Sequence, residues 1–495
     1  MRRIDEPKGR WTAFHDPRIV VRCRSWALVS TWLVVLATGC ASPVDVQREL
    51  VARMALGDYP GAIEIVEDEK AGAYGGRNRL LYFLERGMLL HVAGDYTESN
   101  RVFERAKRLG ERLYTRSVGN AGLSLMSNDL ALDYAGENFE RTLIHLFAAL
   151  NYQQLGRHDS ALVEVRQLAD YLRKLQVDSL GENIYQEDAF ARYLSALLHE
   201  ASGDVDAAFV DYKKAVSAYG DYLTRFAVPR PQSLGPNAAR VAADLGEWAR
   251  EDLKALGNEG APRLVPEEAG EVIVLHYNGL SPVKAETRFT IPFSEAWLMV
   301  LALRAMADEA DAAKIDRATA VYSQIAGIDI VSVAFPKFVD RPYAIERMAI
   351  RVPGAFDATP PELVEDIGAI ARRDLDDRIV RIRTRAIARA AIKYALQKAA
   401  ERAALELAGD YGGLIRAVTM LGGNLARYGS ERADQRVWST LPDEIWMSTL
   451  VLPAGSHDLT IDFLDAGQRV VESRIVSGVE VAPGGREYVI VRTVR

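Results

Sequence analysis

Four times in the first half of the chain a glycine opens the same short phrase. The copies are Gly57-Asp58-Tyr59 then Ala62, Gly94-Asp95-Tyr96 then Ser99, Gly156-Arg157-His158 then Ala161, and Gly203-Asp204-Val205 then Ala208. The small residue always stands five positions after the glycine. Nine positions after it come Val66, Phe103, Val165 and Tyr212, and at twelve, two copies carry Ala106 and Ala215. Steps of four and three residues return to one side of a helix, so each phrase leads into a helix with one packed face. Upstream of three of the turns lie runs with the same period: Leu80, Leu81, Leu84, Met88 and Leu89; Leu143, Leu146, Phe147 and Leu150; Phe190, Tyr193, Leu194, Leu197 and Leu198. Each unit reads as helix, tight turn, helix. Glycine supplies the positive φ that ends the first helix, the aspartate caps the second, and the small residue lets the two approach.

This pattern resembles the tetratricopeptide repeat, and it covers residues 46–257. The spacings between turn glycines are 37, 62 and 47 residues, so the array is irregular and long connections such as 110–137 decorate it. Such units cannot bury their apolar faces alone; stacked, they form a superhelix whose inner groove takes a peptide or a partner helix. The same stack also serves as a passive spacer, and both readings stay open.

A chain of 495 residues is long enough for several units, and 49% hydrophobic with 26% charged residues is the composition of a folded body. The net charge is −7, and residues 1–39 hold seven Lys/Arg against three Asp/Glu, so the remainder is more acidic still. No nucleic-acid partner is expected from that balance. The basic residues Arg18, Arg22 and Arg24 precede an apolar run from Trp26 to Leu36, which closes on Leu36-Ala37-Thr38-Gly39-Cys40. The run is too short to cross a bilayer comfortably and has the layout of a signal peptide, residues 1–39. Cysteine after small residues resembles the bacterial lipobox. That resemblance implies cleavage before Cys40, lipid on its sulfur, and a short tether over 40–45. Two or three acyl chains hold a protein stably on a membrane. With Ala41 and Ser42 following and no aspartate at the second position, the resemblance implies the outer membrane, periplasmic side. The other cysteine, Cys23, lies before the cut, so the processed chain has no disulfide.

Past Gly257, Gly260, Pro262 and Pro266 the period changes from 3.6 to 2. Strands are expected over Glu271–Tyr277, Ile328–Phe335, Ile345–Val352, Ile445–Leu452, Ser456–Phe463, Arg469–Val476 and Glu487–Val494. Leu450–Leu464 reads as a hairpin turning on Pro453-Ala454-Gly455. A long helix is expected from Pro361, with Glu362, Glu365 and Asp366 at its positive end. It carries Arg381, Arg383, Arg385 and Arg389, read as a solvated face paired with nearby acids. Gly413–Gly423 reads as a buried helical hairpin, with a segment that dips into a membrane as the alternative. The fold class is therefore α+β: an N-terminal all-α tetratricopeptide-like array, then a β-sandwich-like domain with a long helical insertion. Its parts are 258–360, a first β/α part, 361–427, the insertion, and 428–495, a C-terminal antiparallel β part. The two strand sets are expected to share a sheet, since neither covers its apolar face alone.

No catalytic constellation emerges. The histidines of the processed chain, His91, His145, His158, His199, His276 and His457, show no metal-ligand spacing, and there is no phosphate loop or nucleophile motif. His276-Tyr277-Asn278-Gly279 is the one group worth inspecting, with a hairpin turn as its bland reading. No enzyme activity and no cofactor are expected, and the small-molecule ligand is unknown.

Several phrases in order resemble a family of uncharacterised bacterial envelope lipoproteins with tetratricopeptide-like N-terminal helices. They are Gly136 to Arg141, Ala149 to Tyr152 with Gly156, Ala161 to Arg166, Gly270 to Gly279 with Pro282 to Lys284, and Ala433 to Trp438 with Leu441-Pro442. The resemblance implies a place among companions of penicillin-binding-protein activators, hence in cell-envelope or peptidoglycan assembly. It brings no catalytic residues. The resulting expectation is a scaffold or regulator, anchored to the membrane through lipid on Cys40 and holding envelope proteins through its helical repeats. The alternatives are a glycan binder or cryptic enzyme with its site in the β portion, and a passive spacer.

Overall fold

The helix-turn-helix phrase builds what its spacing dictates. In the computed structural model, which describes residues 43–119, 132–178, 187–258, 260–304, 330–408 and 432–495 with Leu130, Ala312, Ala313, Ile315, Asp316 and Thr319, ten helices run first. They are α1 (Pro43–Ala55), α2 (Tyr59–Asp68), α3 (Arg79–Val92), α4 (Tyr96–Gly119), α5 (Asn138–Gln154), α6 (His158–Asp178), α7 (Ala189–Ala201), α8 (Val205–Phe226), α9 (Leu234–Leu245) and α10 (Glu247–Ala255). Gly57, Gly94, Gly156 and Gly203 all have φ between +66° and +84°. The amide following each glycine donates back to a carbonyl five residues earlier, as in Asp95 N to Leu90 O and Asp204 N to His199 O, both 3.0 Å. Asp58, Asp95 and Asp204 each accept from an amide three residues on. Ala62, Ser99, Ala161 and Ala208 are fully buried, as are Val66, Phe103 and Tyr212. A fifth turn of this geometry, Gly257-Asn258, ends α10 with no helix after it.

The β region is threaded through three sheets, one of them the two-stranded pair of the arm described below. A five-stranded sheet has β1 (Ala269–Asn278) at its centre, parallel to β10 (Arg486–Arg492) and antiparallel to β7 (Glu444–Pro453), which also pairs with β5 (Asp357–Ala358) and β6 (Glu362–Asp366). A three-stranded sheet runs β4 (Arg347–Arg351), β8 (Gly455–Leu464), β9 (Val470–Val481). Alternation along β1 sorts its side chains. Ile273, Leu275 and Tyr277 join the core of the helices, while Val272 and Val274 pack against Leu459, Ile461 and Phe463 of the second sheet. A strand buried on both faces has to read as a nearly unbroken apolar run, and Val272–Leu275 does.

Three expectations are corrected. Leu450–Leu464 is not a hairpin, because the chain leaves one sheet at Ala454 and enters the other, where β8 finds β4 and β9. Pro361 does not start a helix. Glu362–Asp366 is a strand on β7, and the helix α12 (Ile367–Ala408) begins after it, with the Asp366 carboxylate accepting from Ala369 N. Alternation wins there because the acids are used sideways: Glu362 accepts from Ser233 N and Oγ, and Tyr222 donates to Glu365. Nor is His276–Gly279 a hairpin turn, since β2 (Val283–Pro292) pairs with β3 (Ile330–Val339) and leaves β1 altogether. β2, which sequence periodicity passes over, forms with β3, α11 (Phe293–Arg304) and the distal half of α12 a separate arm with its own core around Trp297, Ile392 and Tyr394. The arginine row is less solvated than expected: Arg389 is buried, and Arg383 lies 4.6 Å over the Phe335 ring.

Cys40 with the residues before it, and Gly413–Gly423, lie outside the described residues. No helix among those described is long and apolar enough to cross a membrane.

Candidate functional site

One side of the array, where Phe103 of α4 and Phe147 of α5 lie, faces the β region. It is covered by the chain itself. Phe147 of α5 meets Tyr277 and Trp438 edge-on at 5.7 and 6.0 Å, and Phe103 meets Trp438 at 6.0 Å. Burying these rings against one another excludes water over a wide surface.

Polar groups then fix the register of helices against strands. The Glu85 carboxylate of α3, fully buried, accepts from Ser439 N at 2.9 Å, Ser439 Oγ at 2.7 Å and Thr440 N at 3.0 Å. Glu140 of α5, also fully buried, accepts from Trp438 N at 2.7 Å, Tyr134 Oη at 2.6 Å and Glu137 N at 2.8 Å. Burial and the neighbouring Glu137 charge push its acid up to about 7 in spite of these donors. His91 of α3 bridges Asn151 Oδ1 at 2.6 Å and Tyr277 Oη at 3.2 Å, and burial holds its imidazole down at about 4, neutral at physiological pH.

Farther along the same seam, two acids meet two guanidinium groups. Arg486 of β10 donates to Glu200 of α7 at 3.0 Å and to Glu271 of β1 at 3.1 Å, while Arg240 of α9 reaches Glu200 at 2.8 Å and Glu271 at 3.2 Å. Burial alone raises the Glu271 acid, but the two cations outweigh it and bring it down to about 2. Arg486 also donates to Leu197 O at 2.6 Å. Every donor or acceptor in this group is spent on another part of the chain, so the seam has the character of a domain core rather than of a vacant groove.

His276 is buried. Its Nε2 meets Thr493 Oγ1 at 2.7 Å, its ring packs 4.8 Å from Phe463, and burial next to Arg492 and Arg474 holds it at about 3. It faces the space between the two sheets and is sealed from solvent. Among the described residues, no group of histidine, cysteine or acidic side chains could hold a metal ion.

An exposed aromatic surface lies elsewhere on the array. Trp248 of α10 is 54% exposed, yet its ring stands edge-on to Phe209 of α8 at 5.4 Å. Val210 of α8 is exposed beside Phe209, and Lys213 sits 4.8 Å over the Phe209 ring while pairing with Asp252 at 2.7 Å. An aromatic residue held rigidly by a second ring but left half in water, among neighbouring charges, is the composition that protein interfaces favour. Periodicity along α8 and α10 marks Ala249 and Leu253 as inward and leaves Trp248 outward, a signal available in the sequence but drowned by the many apolar residues around it.

Compared with protein-family models and with curated proteins, the chain has no match. Among solved structures it is similar to a chain from Podosopora anserina described as a kinesin light chain with nearly identical TPR-like repeats. The identity is 18%, over 43% of this chain and 92% of that one, with a TM-score of 0.29. A singly substituted form of that protein is similar at 17% identity, over 43% and 91%, with a TM-score of 0.28.

Proposed function

We propose that this chain is a non-catalytic scaffold or regulator of the bacterial cell envelope, held on the periplasmic side of the outer membrane through lipid on Cys40. In this reading the helices are tetratricopeptide-like repeats closed onto a β-sandwich-like domain, and the partner is an envelope protein engaged in cell-wall assembly. The observation that carries it is the half-exposed Trp248, braced by Phe209 and flanked by Val210, on an array that elsewhere packs against the chain's own strands. A partner therefore engages the array from outside. The rival site at His276 loses its support because that side chain is sealed between two sheets.

The test places a photo-crosslinking residue at position 248 of the full-length chain in its native membrane, with a second one at exposed Val470 of β9 as control. A discrete envelope-protein adduct from position 248, absent from position 470 and abolished by cell-free dilution, is the expected result. Equal labelling from both positions, or none from 248, sinks the reading. Trp248→Glu is expected to remove the adduct partner in affinity capture while leaving the helical signal of the purified chain unchanged.

A further inference from the structure

The three-stranded sheet ends on β9, which pairs with β8 along one side; among the described residues no strand pairs with its other edge. Even the residues that alternate inward, Glu472, Arg474 and Val476, are only half-buried, while Ser473 and Ile475 between them are exposed, Ile475 at 68%. An edge strand carries a row of unpaired amides and carbonyls, and folded proteins blunt such rows with short strands, lysine, proline or charges turned inward. β9 is 12 residues long and contains neither lysine nor proline. Its register with β8 slips on either side of a regular stretch, Glu472–Val476, and the two inward charges of that stretch, Glu472 and Arg474, pair with each other.

Charges on an edge repel a second edge when like meets like, and here they do not. Laid antiparallel on another copy about Ser473, Val471 stands opposite Ile475, Glu472 opposite Arg474, and Ser473 opposite itself, with the same pairs repeated in reverse. Apolar meets apolar and acid meets base in both halves at once, as a two-fold interface requires. Moving the axis one residue to Arg474 sets arginine against arginine, and moving it to Glu472 sets glutamate against glutamate. The arginine is also held in place beforehand: it donates to Arg492 O at 2.7 Å and lies 5.2 Å over the Phe463 ring.

We propose that two copies of this chain associate edge to edge through β9, joining their three-stranded sheets into one of six strands with Ser473 on the two-fold axis. Both copies use the same edge, so the assembly closes at two; the far edge of each sheet is β4, of 5 residues. This contact lies on a different element from Trp248 and stands independently of the scaffold reading.

Disulfide trapping in the full-length chain tests it. On the axis the two Ser473 Cα atoms stand about 4.5–5.5 Å apart, within disulfide reach. Ser477, exposed on the same strand, lies roughly 26 Å from its counterpart at about 3.3 Å per residue. Mild oxidation of Ser473→Cys should yield a dimer that peptide mapping shows linked 473 to 473, at least about tenfold more than Ser477→Cys or the unsubstituted chain yields. Glu472→Arg sets arginine against arginine twice and should weaken self-association in sedimentation by about tenfold. Adding Arg474→Glu to it should restore association, and the cysteine pair decides the matter where that double variant fails to fold. A self-adduct from position 470 has twice the mass of the chain, which separates it from the envelope-protein adduct sought at position 248. A monomer at every concentration, equal linkage from positions 473 and 477, or unchanged association in Glu472→Arg would each overturn the proposal.

Discussion

Where the helical array meets the five-stranded sheet, buried carboxylates and guanidinium groups are interleaved with aromatic rings from residues hundreds of positions apart, Glu85 with Ser439 or Arg486 with Glu200. The arm formed by β2, β3, α11 and distal α12 is held instead by alanines, a few aliphatic side chains and Phe293, Trp297 and Tyr394. One seam is specified by direction-dependent bonds, the other mainly by apolar packing. A rigid array welded to a sheet needs its register fixed, which polar pairs do well. An arm that carries its own small core needs only to be fastened at the root, and Glu137 does this by pairing with Lys284 of β2 and Arg378 of α12. Glu286 of β2 adds a second tie at the root, accepting from Ala433 N at 2.8 Å, and Phe338 of β3 packs against the main core.

The largest expected effect breaks the seam. Arg486→Ala leaves Glu200 and Glu271 buried with Arg240 as their main cation and Arg263 at 3.9 Å from Glu271, and removing one partner of such a group costs about 3–5 kcal/mol. Because array and sheet share one core, urea should unfold them together: far-ultraviolet helix signal and Trp438 fluorescence ought to move to the same lower midpoint. A variant in which helices persist after the tryptophan signal is lost would show that the seam is not cooperative.

A smaller effect comes from Glu140. Its acid is raised from 4.5 to about 7 in the folded chain, so the native state keeps a proton that the unfolded state releases. The contribution to stability is therefore complete below pH 4.5 and is lost as pH rises toward and through 7, by on the order of 3 kcal/mol. Glu140→Gln cannot release that proton. Comparing urea midpoints at pH 5 and 7.5, the wild-type chain should lose more stability across the interval than the glutamine variant; parallel pH dependence in the two would show that the Glu140 carboxylate is not what titrates.

These contrasts also explain what was legible in the sequence. Turn glycines and small residues at Gly57 to Ala62 and its three counterparts, with a capping aspartate in all but the Gly156 copy, are local signals, readable within six residues, and the helices follow from them. Strand positions were readable because β1, β7 and β8 alternate or run apolar. Their partners were not: whether Gly455 begins a hairpin or a crossing between sheets depends on β4, about a hundred residues away, and a short apolar segment carries no mark of its neighbour. Glu362–Asp366 misled for a related reason. Its acids suit a helix start, and only Ser233 and Tyr222 on distant helices reveal that they are consumed sideways.

The smallest expected effect on the body sharpens the comparison from the other side. Trp297→Ala removes the largest side chain of the arm's core, a change that costs about 3–5 kcal/mol locally when the space cannot collapse. If the arm is a unit of its own, that loss stays there. Hydrogen exchange should accelerate in β2, β3, α11 and distal α12 to the level of local opening, while amides of β1 and α5 keep their protection and the urea midpoint of the main transition shifts by less than about 0.5 kcal/mol. Loss of protection in β1 as well would mean that the root clamp at Glu137 transmits the damage, and that polar register and apolar shape are not separable in this fold after all.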